Sequence, residues 1–238
     1  IIKINSQGYI SYLRGENPQT FPYRLYPTEK ERILKNNKLD IFGNKIEKKD
    51  KFLELYSSKL KGDQKDRYEL ETKGLEGVDS IDQVTYYGKL LQISNCIYPC
   101  KSEDIDDCYG TNGLSNCFTI KNKKPVKYSY KKDIPNFLDL KELGNYSCKI
   151  KSIIESIDNS DGIVFIYSHY LDGGIMPLVL ALEQNGYIKY DKEEVLVSDK
   201  KRPVKSYNGG PLKSEEDYPA TYSVIAGDSL KLTNNFEK

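Results

Sequence analysis

A run of five apolar residues, Ile163–Tyr167, lies between two segments with helical patterns and constrains the fold more than any other feature. Before this run, isoleucines recur with helical spacing from Ile150 to Ile157, which predicts an amphipathic helix capped by Ser147. A continuous β-branched and aromatic run is typical of a strand buried on both faces of a parallel sheet. The sequence therefore predicts a helix, a strand and a second helix over residues 147–187, the repeating unit of a doubly wound α/β domain.

The residues after this run predict a loop, a helix and a later strand. The segment His169–Gly174 contains turn-forming residues. Pro177 suits the first turn of a helix from Ile175 to Asn185, because the N–H group that proline lacks is not needed there. The glycine that follows Asn185 is a common helix stop. Farther along, Tyr222–Asp228 predicts the next strand and its exit turn.

The first two thirds of the chain give weaker patterns. Residues 83–94 suit a helix, and a short helix fits residues 50–60. Residues 95–120 are rich in Cys, Gly and Asn, and residues 121–145 are rich in Lys, so we expect both segments to be irregular.

The charge and hydropathy of the chain argue against a membrane protein. The 36 basic and 35 acidic residues leave a net charge of +1, which gives no general attraction to nucleic acid or membranes. No apolar run approaches the roughly 20 residues of a transmembrane helix. Residues 1–5 show no secretory signal pattern. We therefore expect a cytoplasmic protein that is not secreted and has no membrane partner.

Residues at the carboxyl end of the predicted strand are the candidates for anion binding. Ligands of open parallel sheets sit outside the carboxyl ends of the strands, where Ser168 lies. Gly173 and Gly174 come where the next helix begins, and free N–H groups at a helix start attract phosphates. Gly227 and Asp228 end the later strand and would share this edge if both strands belong to one sheet. The same residues also fit ordinary turns, and both interpretations stay open.

Four of the five cysteines are close together in the sequence, with the spacing C-x3-C-x7-C-x8-C. Four thiolates could hold a structural Zn²⁺ in a segment with little secondary structure, although this spacing lacks the usual C-x2-C pairs. Disulfides would require an oxidising compartment, and free thiols are the third interpretation. The candidate zinc ligands are Cys96, Cys100, Cys108 and Cys117.

The sequence contains no complete catalytic constellation. His169 is the only histidine, and no phosphate-binding loop or dinucleotide fingerprint occurs. Hydrolysis of a nucleotide would therefore need residues outside this chain.

Several patches of the sequence resemble superfamily 2 helicases. The segments Gly162–Tyr170 and Leu180–Tyr187 resemble the opening of the second RecA-like domain, where a buried strand, motif IV, leads into a helix ending in Leu-Glu-x-x-Gly-aromatic. The likeness is greatest to helicases of the large nucleocytoplasmic DNA viruses, which are related to the poxvirus nucleoside triphosphatase and early transcription factor helicase subunits. In that group, the segment joining the two RecA-like domains has stretches like Ile10–Pro22 and Ser94–Pro99.

This resemblance implies a fragment of an ATP-dependent helicase or translocase. Residues 1–146 would be an irregular α+β connector, and residues 147–238 the first part of the second RecA-like domain, a partial parallel-sheet domain of the α/β class. The family's phosphate-binding loop would precede Ile1, and the arginines that reach ATP would follow Lys238. ATP and Mg²⁺ would thus be bound mainly by residues outside the chain, and the fragment alone would be inactive.

The resemblance also implies a nucleic-acid interface. In this family, the edge that contains Ser168, with its neighbours His169 and Tyr170, faces the backbone of DNA or RNA. Gly227 and Asp228 are weaker candidates for the same contact. Viral transcription machinery would be a further partner, in a viral factory or in the virion.

Two other functions remain open from the sequence. A connector held together by zinc could be a non-catalytic module that recruits a transcription partner, and zinc analysis would identify it. The chain could also be an unrelated nucleotide-binding α/β enzyme domain, such as half of a glycosyltransferase, that shares one βα unit by chance. Binding of a nucleotide sugar would identify that alternative.

Overall fold

The computed structural model of the chain describes residues 56–73, 80–121, 126–160, 162–207, 210–213 and 217–226. Its α-helices are α1 (Gly62–Lys73), α2 (Ser80–Asn95), α3 (Gly110–Cys117), α4 (Cys148–Asp158) and α5 (Met176–Gln184). Its strands are β1 (Phe118–Lys121), β2 (Lys127–Tyr130), β3 (Ile188–Lys189), β4 (Leu196–Val197) and β5 (Thr221–Tyr222). Single 3₁₀ turns lie at Ile105–Asp107 and Leu143–Asn145, and a π-helical turn lies at Leu171–Ile175. None of the helices in these ranges is long and apolar enough to cross a membrane.

The strands form two small sheets. In the first, β1 pairs antiparallel with β2, with Phe118 opposite Tyr130, and β2 pairs parallel with β4, with Tyr128 opposite Leu196. In the second, β3 and β5 pair parallel to each other. This mixed arrangement, with mostly parallel pairings, is compatible with the partial α/β domain that the sequence predicts.

The helices predicted on either side of the apolar run are confirmed. The helix α4 begins after Ser147, whose Oγ accepts the N–H of Ile150 at 3.0 Å. The helix α5 has Pro177 in its first turn, and Gly186 follows its C-cap with a φ of 93°, which glycine adopts without strain. The helix predicted at residues 83–94 is also present, as α2.

The apolar run itself differs from the prediction, because Ile163–Tyr167 is not a strand of either sheet. The side chains of Ile163, Phe165 and Tyr167 are 78%, 75% and 78% exposed, and those of Val164 and Ile166 are half-buried. The prediction of burial on both faces is therefore wrong for this segment. Such burial requires neighbouring strands and covering helices, and no described residue pairs with the main chain of this run.

Three further predictions are corrected in part. Residues 95–120 are not irregular throughout, since they contain α3 and most of β1, and residues 121–145 contain β2. Residues 56–60 are not helical, while the remainder of the helix predicted at 50–60 lies outside the described residues. The strand predicted at 222–228 is limited to β5 within the described part of the chain.

The larger of the two hydrophobic clusters among the described residues contains residues from both sides of the boundary predicted at 146/147. Phe137, which is fully buried, belongs to this cluster and lies in a segment predicted to be irregular. Its ring lies 5.4–6.1 Å from the rings of Tyr98, Phe118, Tyr130 and Tyr146, measured between centroids. Burial of aromatic side chains stabilises a folded structure whatever the secondary-structure propensity of the segment. These ring contacts therefore explain why segments without strong periodicity adopt a defined structure.

The C-terminal end of α5 is attached to two strands by a buried carboxylate. Glu183 is 3% exposed, and its two oxygens accept the N–H of Val195 at 2.9 Å and that of Leu196 at 2.7 Å. The hydroxyl of Tyr222 donates to the same carboxylate at 2.7 Å. Three donors thus compensate the carboxylate for the water that it loses on burial.

The next two side chains extend this attachment to other segments. Asn185 Nδ2 donates to the carbonyl of Leu138 at 2.8 Å, and its Oδ1 accepts the N–H of Leu140 at 2.9 Å. Gln184 Nε2 donates to the carbonyl of Lys200 at 2.6 Å. Glu183, Gln184 and Asn185 together form what we term the α5 clamp.

Replacing Glu183 by Gln should lower the free energy of unfolding by roughly 2–3 kcal/mol. The glutamine amide keeps only one acceptor oxygen. Its NH₂ group would face the main-chain N–H groups that the carboxylate accepts, and these donors would then lack an acceptor. Urea unfolding of the 238-residue chain measures this loss.

Glu194→Gln is the matched control, because Glu194 is exposed and pairs with Lys201 at the surface. We expect this control to change the free energy of unfolding by less than about 0.5 kcal/mol. Equal effects of the two substitutions would show that the α5 clamp does not stabilise the fold.

Candidate nucleic-acid interface

Ser168 lies at the end of the extended segment, and its hydroxyl is engaged within the chain. Ser168 Oγ donates to the carbonyl of Tyr170 at 3.2 Å. A Cβ added to Gly174 would collide with this Oγ, so the serine side chain occupies the space beside the glycine. A phosphate oxygen would compete with the carbonyl of Tyr170 for the hydroxyl proton.

Gly173 and Gly174 lie in the π-helical turn that leads into α5, and both are buried. A Cβ on Gly173 would lie 2.6 Å from Oε1 of Gln92 in α2. The two glycines therefore allow this turn to approach α2 and Ser168 closely. Their predicted contact with phosphate stays a prediction.

The π-helical turn is also held by hydrogen bonds through Asp172. The hydroxyl of Tyr98 donates to the main-chain oxygen of Asp172 at 2.8 Å, and Thr111 Oγ1 donates to Asp172 Oδ2 at 2.9 Å. Burial raises the pKa of Tyr98 well above its usual value, so its hydroxyl keeps the proton that it donates. These contacts fix the turn against α3.

His169 is exposed at this turn, and its ring lies 5.3 Å from that of Tyr170, edge to face. Tyr170 is half-buried beside Gly88 of α2. Of the residues predicted to bind nucleic acid, the structure brings Ser168, His169, Tyr170, Gly173 and Gly174 together at one turn. The other two, Gly227 and Asp228, lie outside the described residues.

Sequence reasoning missed the residues that support this turn. Gln92, Tyr98 and Thr111 are more than 55 positions away from the residues they contact, and no local pattern connects them. The polar triplet at the end of an otherwise apolar helix was a visible signal for the α5 clamp. Its partners could not be read from the sequence.

The four cysteines predicted as zinc ligands are not brought together as a metal site. Cys100 and Cys108 form a disulfide with a Cα–Cα distance of 5.5 Å, whereas Cys96 and Cys117 are buried free thiols. Burial raises the pKa of Cys117 to about 12, so its free thiol stays protonated. Within the described ranges, no group of three or more His, Cys, Asp or Glu side chains is placed to hold a metal ion.

The disulfide predicts a response to reducing agents. Because it closes a short loop around the 3₁₀ turn Ile105–Asp107, reduction should lower the free energy of unfolding by about 2–3 kcal/mol. Thermal unfolding with and without dithiothreitol measures this loss. The double variant Cys100→Ser/Cys108→Ser should already be destabilised and show no further response.

Zinc analysis of the purified chain completes this test. Stoichiometric zinc, together with destabilisation by a chelator and not by dithiothreitol, would contradict the disulfide and restore the zinc interpretation.

Comparison with known proteins gives one informative similarity. No protein-family model and no solved structure matches the chain. The chain is 25% identical, over an alignment 255 positions long, to a protein of Acanthamoeba polyphaga mimivirus that is provisionally named an ATP-dependent RNA helicase. The alignment covers 94% of this chain and 21% of that protein, so the chain spans about a fifth of the relative's length. The similarity supports a helicase-related chain and leaves the poxvirus-type subfamily unconfirmed.

Proposed function

We propose that this chain is part of an ATP-dependent nucleic-acid helicase or translocase. The observation that carries the proposal is the similarity to the mimivirus protein along 94% of the chain. Since the chain spans 21% of that protein, the residues that bind ATP and Mg²⁺ would lie mainly outside residues 1–238, and the chain alone would be inactive. The relative's name makes RNA the first nucleic acid to test.

The order of elements after Ser147 supports placing residues 147–238 at the start of a second RecA-like domain. Such a domain would begin with a helix, a strand and a second helix. The chain has a similar order, with α4, the extended apolar run and then α5. In this proposal, residues 1–146 connect the two motor domains. The patches Ile10–Pro22 and Ser94–Pro99 favour the type found in large DNA viruses, where viral transcription machinery in a viral factory or the virion would be the partner.

The turn at Ser168–Tyr170 would hold the backbone of a nucleic-acid strand. His169 is exposed there, and the Ser168 hydroxyl could exchange its bond to the Tyr170 carbonyl for a phosphate oxygen. Gly173, Gly174, Gly227 and Asp228 would border the same contact. Phosphate contacts are independent of sequence and weaken with salt, which suits a protein that steps along a strand. Closure of the two motor domains on ATP would supply the movement.

The substitution Ser168→Asp in the longer gene product tests this contact. A carboxylate at this position would repel phosphate, so nucleic-acid-stimulated ATP hydrolysis should fall. The slope of the logarithm of the binding constant against the logarithm of the salt concentration should become less negative by about one. Measurement of ATP hydrolysis and of binding to single-stranded RNA at several salt concentrations gives both quantities.

Ser198→Asp is the matched control, because Ser198 is half-buried like Ser168, its Oγ accepts the N–H of Lys200, and a carboxylate can do the same. We expect this control to retain stimulated hydrolysis. If Ser168→Asp fails to fold, His169→Asp replaces it, since His169 is exposed. Unchanged stimulation and an unchanged salt slope in a folded variant would refute the interface.

A further inference from the structure

The disulfide between Cys100 and Cys108 closes a loop that is rich in like charges. Its seven internal residues include four acidic ones, Glu103, Asp104, Asp106 and Asp107. Lys101 is the one basic residue of the loop, and Ile105 is its one large apolar residue. Carboxylates held within so short a loop repel one another, so the loop gains much of its closure from the covalent bond between its ends.

The second end of this loop is fixed to α3. The side-chain amides of Asn112 and Asn116 in α3 donate to main-chain carbonyls of residues 106–107, at 3.2 and 3.0 Å. Cys108 comes directly after these carbonyls and shortly before α3. Cys108 and α3 therefore form one unit, and the disulfide is the covalent link between this unit and Cys100.

Two paths connect the unit to the candidate interface. The carbonyl of Cys108 accepts the main-chain N–H of Tyr98 at 2.7 Å, and the hydroxyl of Tyr98 donates to the main-chain oxygen of Asp172 at 2.8 Å. Thr111 Oγ1 of α3 donates to the carboxylate of Asp172 at 2.9 Å. Asp172 lies in the π-helical turn that follows Ser168–Tyr170. Both paths to this turn thus pass through Cys108 or through the helix attached to it.

Close packing leaves these groups little independent movement. A Cβ added to Gly113 of α3 would lie 2.5 Å from the ring of Tyr98 and 2.7 Å from the carbonyl carbon of Cys108. Interiors packed at this density transmit displacements, so a shift of Cys108 also moves the tyrosine.

We propose that the Cys100–Cys108 disulfide is a reversible redox switch that sets the position of the π-helical turn Leu171–Ile175 through Tyr98 and Thr111. The closed disulfide holds the turn in place, and reduction releases it. A released turn binds a ligand more weakly, because binding must then also order it. Regulation of nucleic-acid binding at Ser168–Tyr170 rests on the proposed function, whereas the coupling of the disulfide to the turn does not.

A dithiol reductant opens the bond in two exchange steps. Cys100 is half-buried and Cys108 is fully buried, so the thiolate of the reductant attacks Sγ of Cys100. A mixed disulfide forms there, and Sγ of Cys108 leaves as a thiolate and takes up a proton. The second thiol of the reductant then displaces Cys100, which leaves two thiols in the chain and a disulfide in the reductant. Oxidised glutathione closes the bond again and is itself reduced to two thiols.

His169 is a reporter of the turn, because it is the only histidine of the chain and its ring packs edge to face on Tyr170. Labelling histidine with ¹³C therefore gives one imidazole NMR signal. This signal should shift when dithiothreitol reduces the 238-residue chain and return after oxidation with glutathione. Cys96, Cys117 and Cys148 are already free thiols, so the reductant changes this one bond. An unchanged signal would overturn the inference.

Substitutions test the two paths. The double variant Tyr98→Phe/Thr111→Val keeps the disulfide and removes both hydrogen bonds to Asp172, so its His169 signal should no longer respond to dithiothreitol. Ser115→Ala is the matched control, because Ser115 is exposed on α3 and donates within that helix, and it should retain the response. A full response in the double variant contradicts the switch.

Hydrogen exchange distinguishes a local switch from general unfolding. The amides of α5 should stay protected in the reduced chain and in both variants, which shows that they remain folded. Loss of this protection on reduction would overturn the inference, because the disulfide would then hold the whole fold together and not the turn.

Binding of single-stranded RNA by the longer gene product tests the regulation. Reduction should raise the dissociation constant about tenfold. The double variant Cys100→Ser/Cys108→Ser should bind like the reduced protein and ignore dithiothreitol, which separates this bond from other cysteines of the longer product. Equal affinities of the oxidised and reduced forms would overturn the regulation. If neither form binds RNA while the His169 signal responds, the proposed function is refuted and the coupling to the turn stands.

Discussion

The α5 clamp is the interaction on which the C-terminal part of the described structure depends. Helix ends leave carbonyl groups without helical partners, and this helix end also contains a carboxylate that is almost fully buried. Its three donors are the main-chain N–H groups of Val195 and Leu196, at the start of β4, and the hydroxyl of Tyr222 in β5. Strands of two residues make too few pairing hydrogen bonds to persist alone, so the contacts of Glu183 give these strands their fixed positions.

The candidate interface lies at the other end of the same helix. The nine residues of α5 span about 14 Å, so the clamp at Gln184 and the π-helical turn before Met176 are held by one short rigid element. Tyr98 and Gln92 fix that turn from the opposite side. The position of the Ser168–Tyr170 turn is therefore set by segments from both halves of the chain. A substitution at Tyr98 or Gln92 can therefore change the candidate interface without lying in it.

The sequence could predict those parts of the structure that depend on local signals. The caps at Ser147 and Pro177 correctly locate two helices. The candidates from Ser168 to Gly174 are neighbours in the chain, and their contact with nucleic acid stays a prediction. What failed depends on distant residues. The β1–β2 hairpin and the burial of Phe137 come from an aromatic cluster assembled across the chain, which no spacing shows. Cysteine spacing likewise could not tell which thiols would meet, because that depends on how residues 100–108 fold around the 3₁₀ turn Ile105–Asp107.

Two independent observations, one from sequence and one from geometry, concern residues outside the described part of the chain. The similarity extends over a fifth of a longer helicase-named protein, and the edge of Ile163–Tyr167 has no strand beside it among the described residues. They bear on each other at the candidate interface. Ligands of parallel sheets bind at the carboxyl ends of strands, and Ser168 occupies that position only if Ile163–Tyr167 is paired into a sheet. The chain thus contains the candidate side chains of the interface, whereas the sheet neighbours that would place Ser168 at the end of a strand are not among the described residues.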